Sequence, residues 1–147
     1  MMEQSAQNYF SPENRVAPLG IVAMNGAEEL SDKIEAHLVR WARRAGMKVD
    51  SFRIGCSCPR FPAGGGKGIL ESSVRGYDLY FVVDVGNYSC TYKYFGQENH
   101  MSPDDHFQDL KRLIQAAMGK AHRITVVMPL PLLWCAGKTV PIGAAAP

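Results

Sequence analysis

The sequence is short of the features that mark special environments. Only four of its 147 residues are cysteine, at 56, 58, 90 and 135. Cys56-Ser57-Cys58 is a C-x-C, and no matching pair follows at zinc-ribbon spacing. Neither a disulfide framework nor a structural zinc is expected, and the thiols read as reduced. No apolar run approaches the ~20 residues of a spanning helix, so no membrane partner is expected. Met1 to Ser11 is polar and lacks the apolar core of a secretory leader, which points to a cytoplasmic protein. No charge of one sign dominates: 16 basic and 14 acidic residues leave +2, too little to argue for nucleic acid. One absence is local. No acid follows Asp109, while Lys111, Arg112, Lys120, Arg123 and Lys138 do. Two readings fit that stretch: solvated helix and strand ends, or an anion-facing surface.

What is present suits one ordinary domain. Hydrophobic residues are 46% and charged residues 20%, and a chain of this length buries a core without staples. Residues 1–14 read as a flexible arm. A buried strand is expected at Gly20–Met24, followed by an Asn25-Gly26 turn. Leu30, Ile34, Leu38 and Trp41 form one stripe of a helix over Ala27–Ala45. Acids at its start and arginines at its end complement the dipole, and Gly46 is placed to stop it. Lys48–Ile54 has strand character. Residues 55–68, with five glycines and two prolines, are expected to be irregular. Ile69–Ser72 is a short strand and Arg75–Asp78 a turn. Leu79–Val85 is a continuous apolar run suited to a strand buried on both faces. Residues 86–101 read as a Tyr-rich loop. Ser102-Pro103-Asp104-Asp105 opens a second helix, which Gly119 closes, and Arg123–Met128 is a last strand. This order implies an α/β fold with a parallel sheet.

Candidate site residues are few. Gly64-Gly65-Gly66-Lys67-Gly68 looks like a phosphate cradle. It lacks the Ser or Thr that follows the lysine in a nucleotide-binding P-loop, and Phe61 stands where the first glycine belongs. Ala136-Gly137-Lys138-Thr139 fails similarly, with Leu132 in the glycine's place. A glycine loop with exposed amides can still hold an anion. Asp84 falls where a parallel strand ends, the place where open α/β sheets bind ligands. A capping acid is the commoner role. His106 lies in a helix's first turn and reads as a neutral surface residue. Tyr88, Tyr92, Tyr94 and Phe95 suit either stacking on a base or packing under a loop.

Glu71-Ser72-Ser73-Val74-Arg75-Gly76-Tyr77-Asp78-Leu79-Tyr80-Phe81-Val82-Val83 and Arg123-Ile124-Thr125-Val126-Val127-Met128-Pro129 resemble two segments of ribose-phosphate diphosphokinases. Those segments read E-S-V-R-G-x-D-V and R-I-T-x-V-I-P. The resemblance covers roughly residues 19–133 and points to a divergent bacterial branch. It implies a phosphoribosyltransferase-like N-terminal domain over residues 15–133, a parallel sheet flanked by helices, with an irregular tail at 134–147. It further implies transfer of diphosphate from Mg-ATP to ribose 5-phosphate, in nucleotide biosynthesis. In the family, an F-S-[DN]-x-E loop reaches a neighbouring subunit's adenine. Phe61 matches the Phe, while Ala63 and Gly65 replace the two polar residues.

Phe61 by the resemblance, and Gly64, Gly65 and Lys67 by the glycine loop, are thus the candidate nucleotide contacts, with Asp84, at the strand end, and Arg75 as candidate crevice residues. No catalytic or metal residue is assigned. The partners implied are ATP or another phosphate-bearing small molecule, and a homo-oligomer or full-length paralogue. After Pro129 the family's A-R-Q-D-x-[KR] loop is replaced by Leu130-Pro131-Leu132-Leu133-Trp134, and the metal and ribose-phosphate motifs of a second domain do not follow. The expectation is a truncated, inactive N-terminal half. The alternative is a non-catalytic module that binds nucleotide or phosphate, or that pairs with a paralogue.

Overall fold

The computed structural model describes Phe10 and residues 16–129. The expected arm, apart from Phe10, and the expected tail at 134–147 lie outside the described residues. Three strands, β1 (Leu19–Ala23), β4 (Asp78–Val82) and β7 (Arg123–Val127), form a parallel sheet with β4 at its centre. Ile21 stands opposite Tyr80, and Tyr80 opposite Thr125. Leu79, Phe81 and Val82 are almost wholly buried. A central parallel strand covered on both faces needs such an unbroken apolar run. Buried Asp78 at its start pairs with Arg123 at the start of β7.

Alternation along the strands sends side chains to two cores. Ile21 and Val82 pack with helix α1 (Glu28–Arg44), through Leu30, Ile34, Leu38 and Trp41. Val22, Leu79 and Phe81 pack on the other face with helix α2 (Pro103–Ala117), through Leu110, Leu113 and Ala117. The apolar stripe of α1 is thus the one its spacing predicts. Gly46 takes φ +83° and its N–H returns to the Arg43 carbonyl, ending the helix as expected. At α2, Ser102 Oγ accepts from the Asp105 N–H at 3.2 Å. The Asp105 carboxylate accepts from the Ser102 N–H at 3.0 Å, which completes a capping box. On the α1 side, Ile34, Leu38, Tyr80, Val82 and Val127 line an apolar groove of about 250 Å³.

Three expectations need correction. Lys48–Ile54 is not a strand. It makes one parallel bridge, Arg53 to Ile21, with Ile21 N–H donating to the Phe52 carbonyl and Ile54 N–H to the Ile21 carbonyl, both at 2.8 Å. The Phe52 N–H goes instead to the Glu35 carboxylate on α1, so the ladder does not extend. Residues 55–68 are not irregular throughout. Cys56–Ser57 (β2) pairs antiparallel with Ile69–Leu70 (β3), and Arg60 bridges Gly66, so the glycines sit at the tip of a hairpin. Residues 86–101 also contain a hairpin, Thr91–Tyr94 (β5) against Gln97–His100 (β6). Its turn residues Phe95 and Gly96 have φ of 48° and 77°. Two consecutive positive φ values are what a tight hairpin turn requires, and Phe is an unusual residue to supply one.

No helix among the described residues is long and apolar enough to cross a membrane.

Candidate functional site

The carboxyl end of β1 opens onto a crevice of about 420 Å³. Parallel α/β sheets present ligand sites at this edge because loops there emerge between helices on opposite faces. Asn25 comes from the turn after β1, Glu28 from the start of α1, Ser57 and Arg60 from the β2–β3 hairpin, Tyr92 from β5 and Asp109 from α2. The crevice is therefore assembled from every layer of the domain.

Arg60 organises it. Its guanidinium Nη2 lies 3.1 Å from Asp109 Oδ2 and 3.9 Å from Asp105 Oδ1. The Arg60 and Asp109 side chains are 7% and 8% exposed, so this is a buried pair. Arg112 adds a second cation, Nη1 2.6 Å from Asp109 Oδ1. Arg60 also lies 4.7 Å over the Tyr92 ring. Burial opposes the charge on Asp105, but the hydrogen bonds from Ser102 and the nearby Arg60 outweigh it and hold its carboxyl below the usual range. Burial pushes the Cys56 thiol up to about 11 and the Cys58 thiol up to about 12, with nearby carboxylates adding to the effect. Both are therefore protonated, unreactive thiols at neutral pH. Gly68 lets the hairpin lie flat on α2: a Cβ there would stand 2.5 Å from the Arg112 carbonyl carbon.

The residues expected to contact nucleotide share one hairpin tip. Phe61 is 54% exposed and Lys67 is also exposed. Gly64, at φ +84°, lies against the Tyr94 ring, and Gly65 lies beside Phe61. The tip is closed by Phe61 N–H to the Gly65 carbonyl at 2.6 Å and Lys67 N–H to the Pro59 carbonyl at 3.0 Å. Asp84 does follow β4, but its Oδ1 accepts the Gly86 N–H at 3.1 Å, the capping role. Arg75 is at the opposite end of β4, in a surface depression with Ser72, Ser73 and Lys120. The structure does not bring Arg75 and Asp84 together.

His106 is a correction. It is fully buried rather than on the surface, with Nε2 2.9 Å from the Asn87 carbonyl oxygen. The loop after β4 folds back over the first turn of α2 and covers the ring. Arg60 and Asp109 were not among the residues the sequence pointed to as a site, whereas Tyr92 was, as one of four aromatics suited to stacking or packing, and its ring lies under the Arg60 guanidinium. The spacing of Asp105, Asp109 and Arg112 does mark one face of α2. Nothing local shows that this face meets Arg60. Among the described residues, no group of three or more His, Cys, Asp or Glu is placed to hold a metal ion. The magnesium implied by the resemblance therefore finds no such ligand set among the described residues.

The family model of the N-terminal domain of ribose phosphate pyrophosphokinase matches residues 19–132. No curated protein matches the chain. Among solved structures, the hypoxanthine-guanine phosphoribosyl transferase of L. donovani is similar at 14% identity and a TM-score of 0.45, over 86% of this chain. The chain spans 61% of that protein's length.

Proposed function

The chain belongs to the family of ribose phosphate pyrophosphokinase N-terminal domains, and from that membership we propose that it is a nucleotide-presenting domain rather than a complete catalyst. Its fold is the family's: a parallel sheet with helices on both faces. The reaction it serves, on this proposal, is transfer of diphosphate from Mg-ATP to ribose 5-phosphate. The observation that carries the proposal is the β2–β3 hairpin. Its base is anchored through buried Arg60 while its tip holds Phe61 and Lys67 out to solvent. A ring held rigidly outward suits stacking on an adenine, and a lysine beside glycine amides suits its phosphates. Such a tip cannot stack on a ligand within its own core, so the proposal carries a homo-oligomer or a full-length paralogue as partner. Positioning and charge neutralisation dominate phosphoryl transfer. The described residues supply some positioning and no metal cluster.

Calorimetry with ATP tests the binding, and a coupled assay for AMP release tests the chemistry. Weak ATP binding is expected, reduced about tenfold by Phe61→Ala, the loss of one aromatic contact of about 1.4 kcal/mol. Lys67→Ala should weaken it too, and salt should oppose it. AMP release from ATP and ribose 5-phosphate should stay at background for the chain alone. Turnover by the purified chain alone would overturn the non-catalytic half of the proposal. Absence of heat at millimolar ATP would overturn the nucleotide half.

A further inference from the structure

Beneath the crevice lies a second, smaller cavity of about 50 Å³. Asn25, Cys56, Ser57, Cys58, Met101 and Asp109 line both spaces. His106 lines only the lower one. The Asn87 carbonyl that meets Nε2 can only accept, so Nε2 carries the hydrogen. In that tautomer the lone pair lies on Nδ1. Nδ1 is buried and has no partner among the described residues. Buried polar groups are almost always paired, so an orphaned acceptor beside a cavity points to something that enters it.

The charges around the crevice narrow what that is. Asp105 and Asp109 take up the charges of Arg60 and Arg112. Glu28 adds a carboxylate to the wall. Among the described residues the cation that lines the space is Arg60, and it is paired, so a polyphosphate would meet carboxylate rather than a free cation. The lining thiols are protonated, and the hydroxyl of Ser57 and the amide of Asn25 offer neutral hydrogen bonds. The crevice volume falls in the range of small-molecule sites, about 300–1,000 Å³. The lower cavity has room for one amino group.

We propose that the crevice binds an uncharged nucleobase or nucleoside, whose amino group enters the lower cavity and donates to His106 Nδ1. Asn25 and Ser57 meet the rest of the polar edge of the base. This site is separate from the hairpin tip, since neither Phe61 nor Lys67 lines either space.

Titration of the full chain with adenosine tests the proposal, with purine riboside, which lacks only the amino group, as the comparison. Adenosine should bind about tenfold more tightly, the worth of one buried hydrogen bond. It should also protect Cys56 and Cys58 from alkylation at high pH more than it protects Cys90. His106→Leu should abolish the preference for the amino group. Should that variant fail to fold, Ser57→Leu fills the shared wall from an exposed position and should abolish binding by itself. The preference for adenosine over purine riboside should survive in Phe61→Ala, since a stacking ring at the hairpin tip does not read the amino group. Equal affinity for the two nucleosides, or no binding at millimolar adenosine, would overturn the proposal and leave the lower cavity to a water. Loss of that preference in Phe61→Ala would also overturn it, by moving the base to the hairpin tip. Displacement of adenosine by inorganic phosphate would contradict the charge argument and overturn it as well.

Discussion

Arg60 and Asp109, 49 residues apart, form a buried ion pair that joins the glycine-rich hairpin to α2. The two partners are not equivalent. Asp109 receives both Arg60 and Arg112, whereas Arg60 has Asp109 close and Asp105 more distant.

Removing Asp109 should therefore cost more than removing Arg60. Asp109→Ala leaves a buried guanidinium without its close partner, a loss of roughly 3–5 kcal/mol. Arg60→Ala leaves Asp109 still paired with Arg112 and should cost about 1–3 kcal/mol. Urea unfolding of the two variants checks the order. Equal losses would show that Arg112 does not support Asp109.

Gly68 and Gly65 should respond oppositely to alanine. A Cβ at Gly68 meets the backbone of Arg112, which cannot rotate away. Gly68→Ala should cost about 1–3 kcal/mol and loosen the hairpin, seen as faster amide exchange at Lys67. At Gly65 the nearest atom to a Cβ is Phe61 Cδ2 at 3.9 Å, an ordinary contact. Gly65→Ala should be close to neutral in stability, and a large loss there would contradict the geometry of the tip.

The capping box predicts its own measure. Ser102→Ala removes the acceptor for the Asp105 N–H and should lower stability by about 1 kcal/mol. Ser102→Asp should restore most of it, since a carboxylate also caps. A Tm series across the three proteins decides the point.

Acid should destabilise the fold through two identifiable carboxylates. Burial opposes the charge on Glu35, but bonds from Ser51, the Phe52 N–H and Arg53 outweigh it and hold its carboxyl below the usual range. Asp105 is held low as described. A group whose folded pKa is depressed contributes stability above its unfolded value, about 3.9–4.3 here. That stability is lost as pH falls through the lower, folded value. Tm should hold steady from pH 7 to about 5 and decline below about 4. Glu35→Gln and Asp105→Asn should each be less stable at pH 7 and flatter toward acid. A decline of unchanged steepness in the double variant would place the acid sensitivity elsewhere.

Much of the frame was legible because it is written in short-range patterns. The Leu30, Ile34, Leu38 and Trp41 stripe, the Ser102 cap and the apolar run after Asp78 each state their structure within a dozen residues. The hairpins were harder. Phe95-Gly96 is not a turn pair that composition would suggest, and the glycines after Phe61 hid the short β2–β3 pairing. Phe61, Gly64, Gly65 and Lys67 were legible as a group because they are nearly consecutive. That they share one tip follows from the chain, whereas their outward direction follows from what anchors the base.

Periodicity, capping and two contiguous segments are enough to specify the two helices, the central strand and the family. Which residues share the crevice is set by how the elements pack. Arg60 and Tyr92 come from two hairpins and His106 and Asp109 from α2, and Arg60 and Asp109 find their charge partners across the fold rather than along the chain. Burial decided it too: removed from water, Arg60 and Nε2 of His106 are paired within the fold, while Nδ1 of His106 has no partner among the described residues.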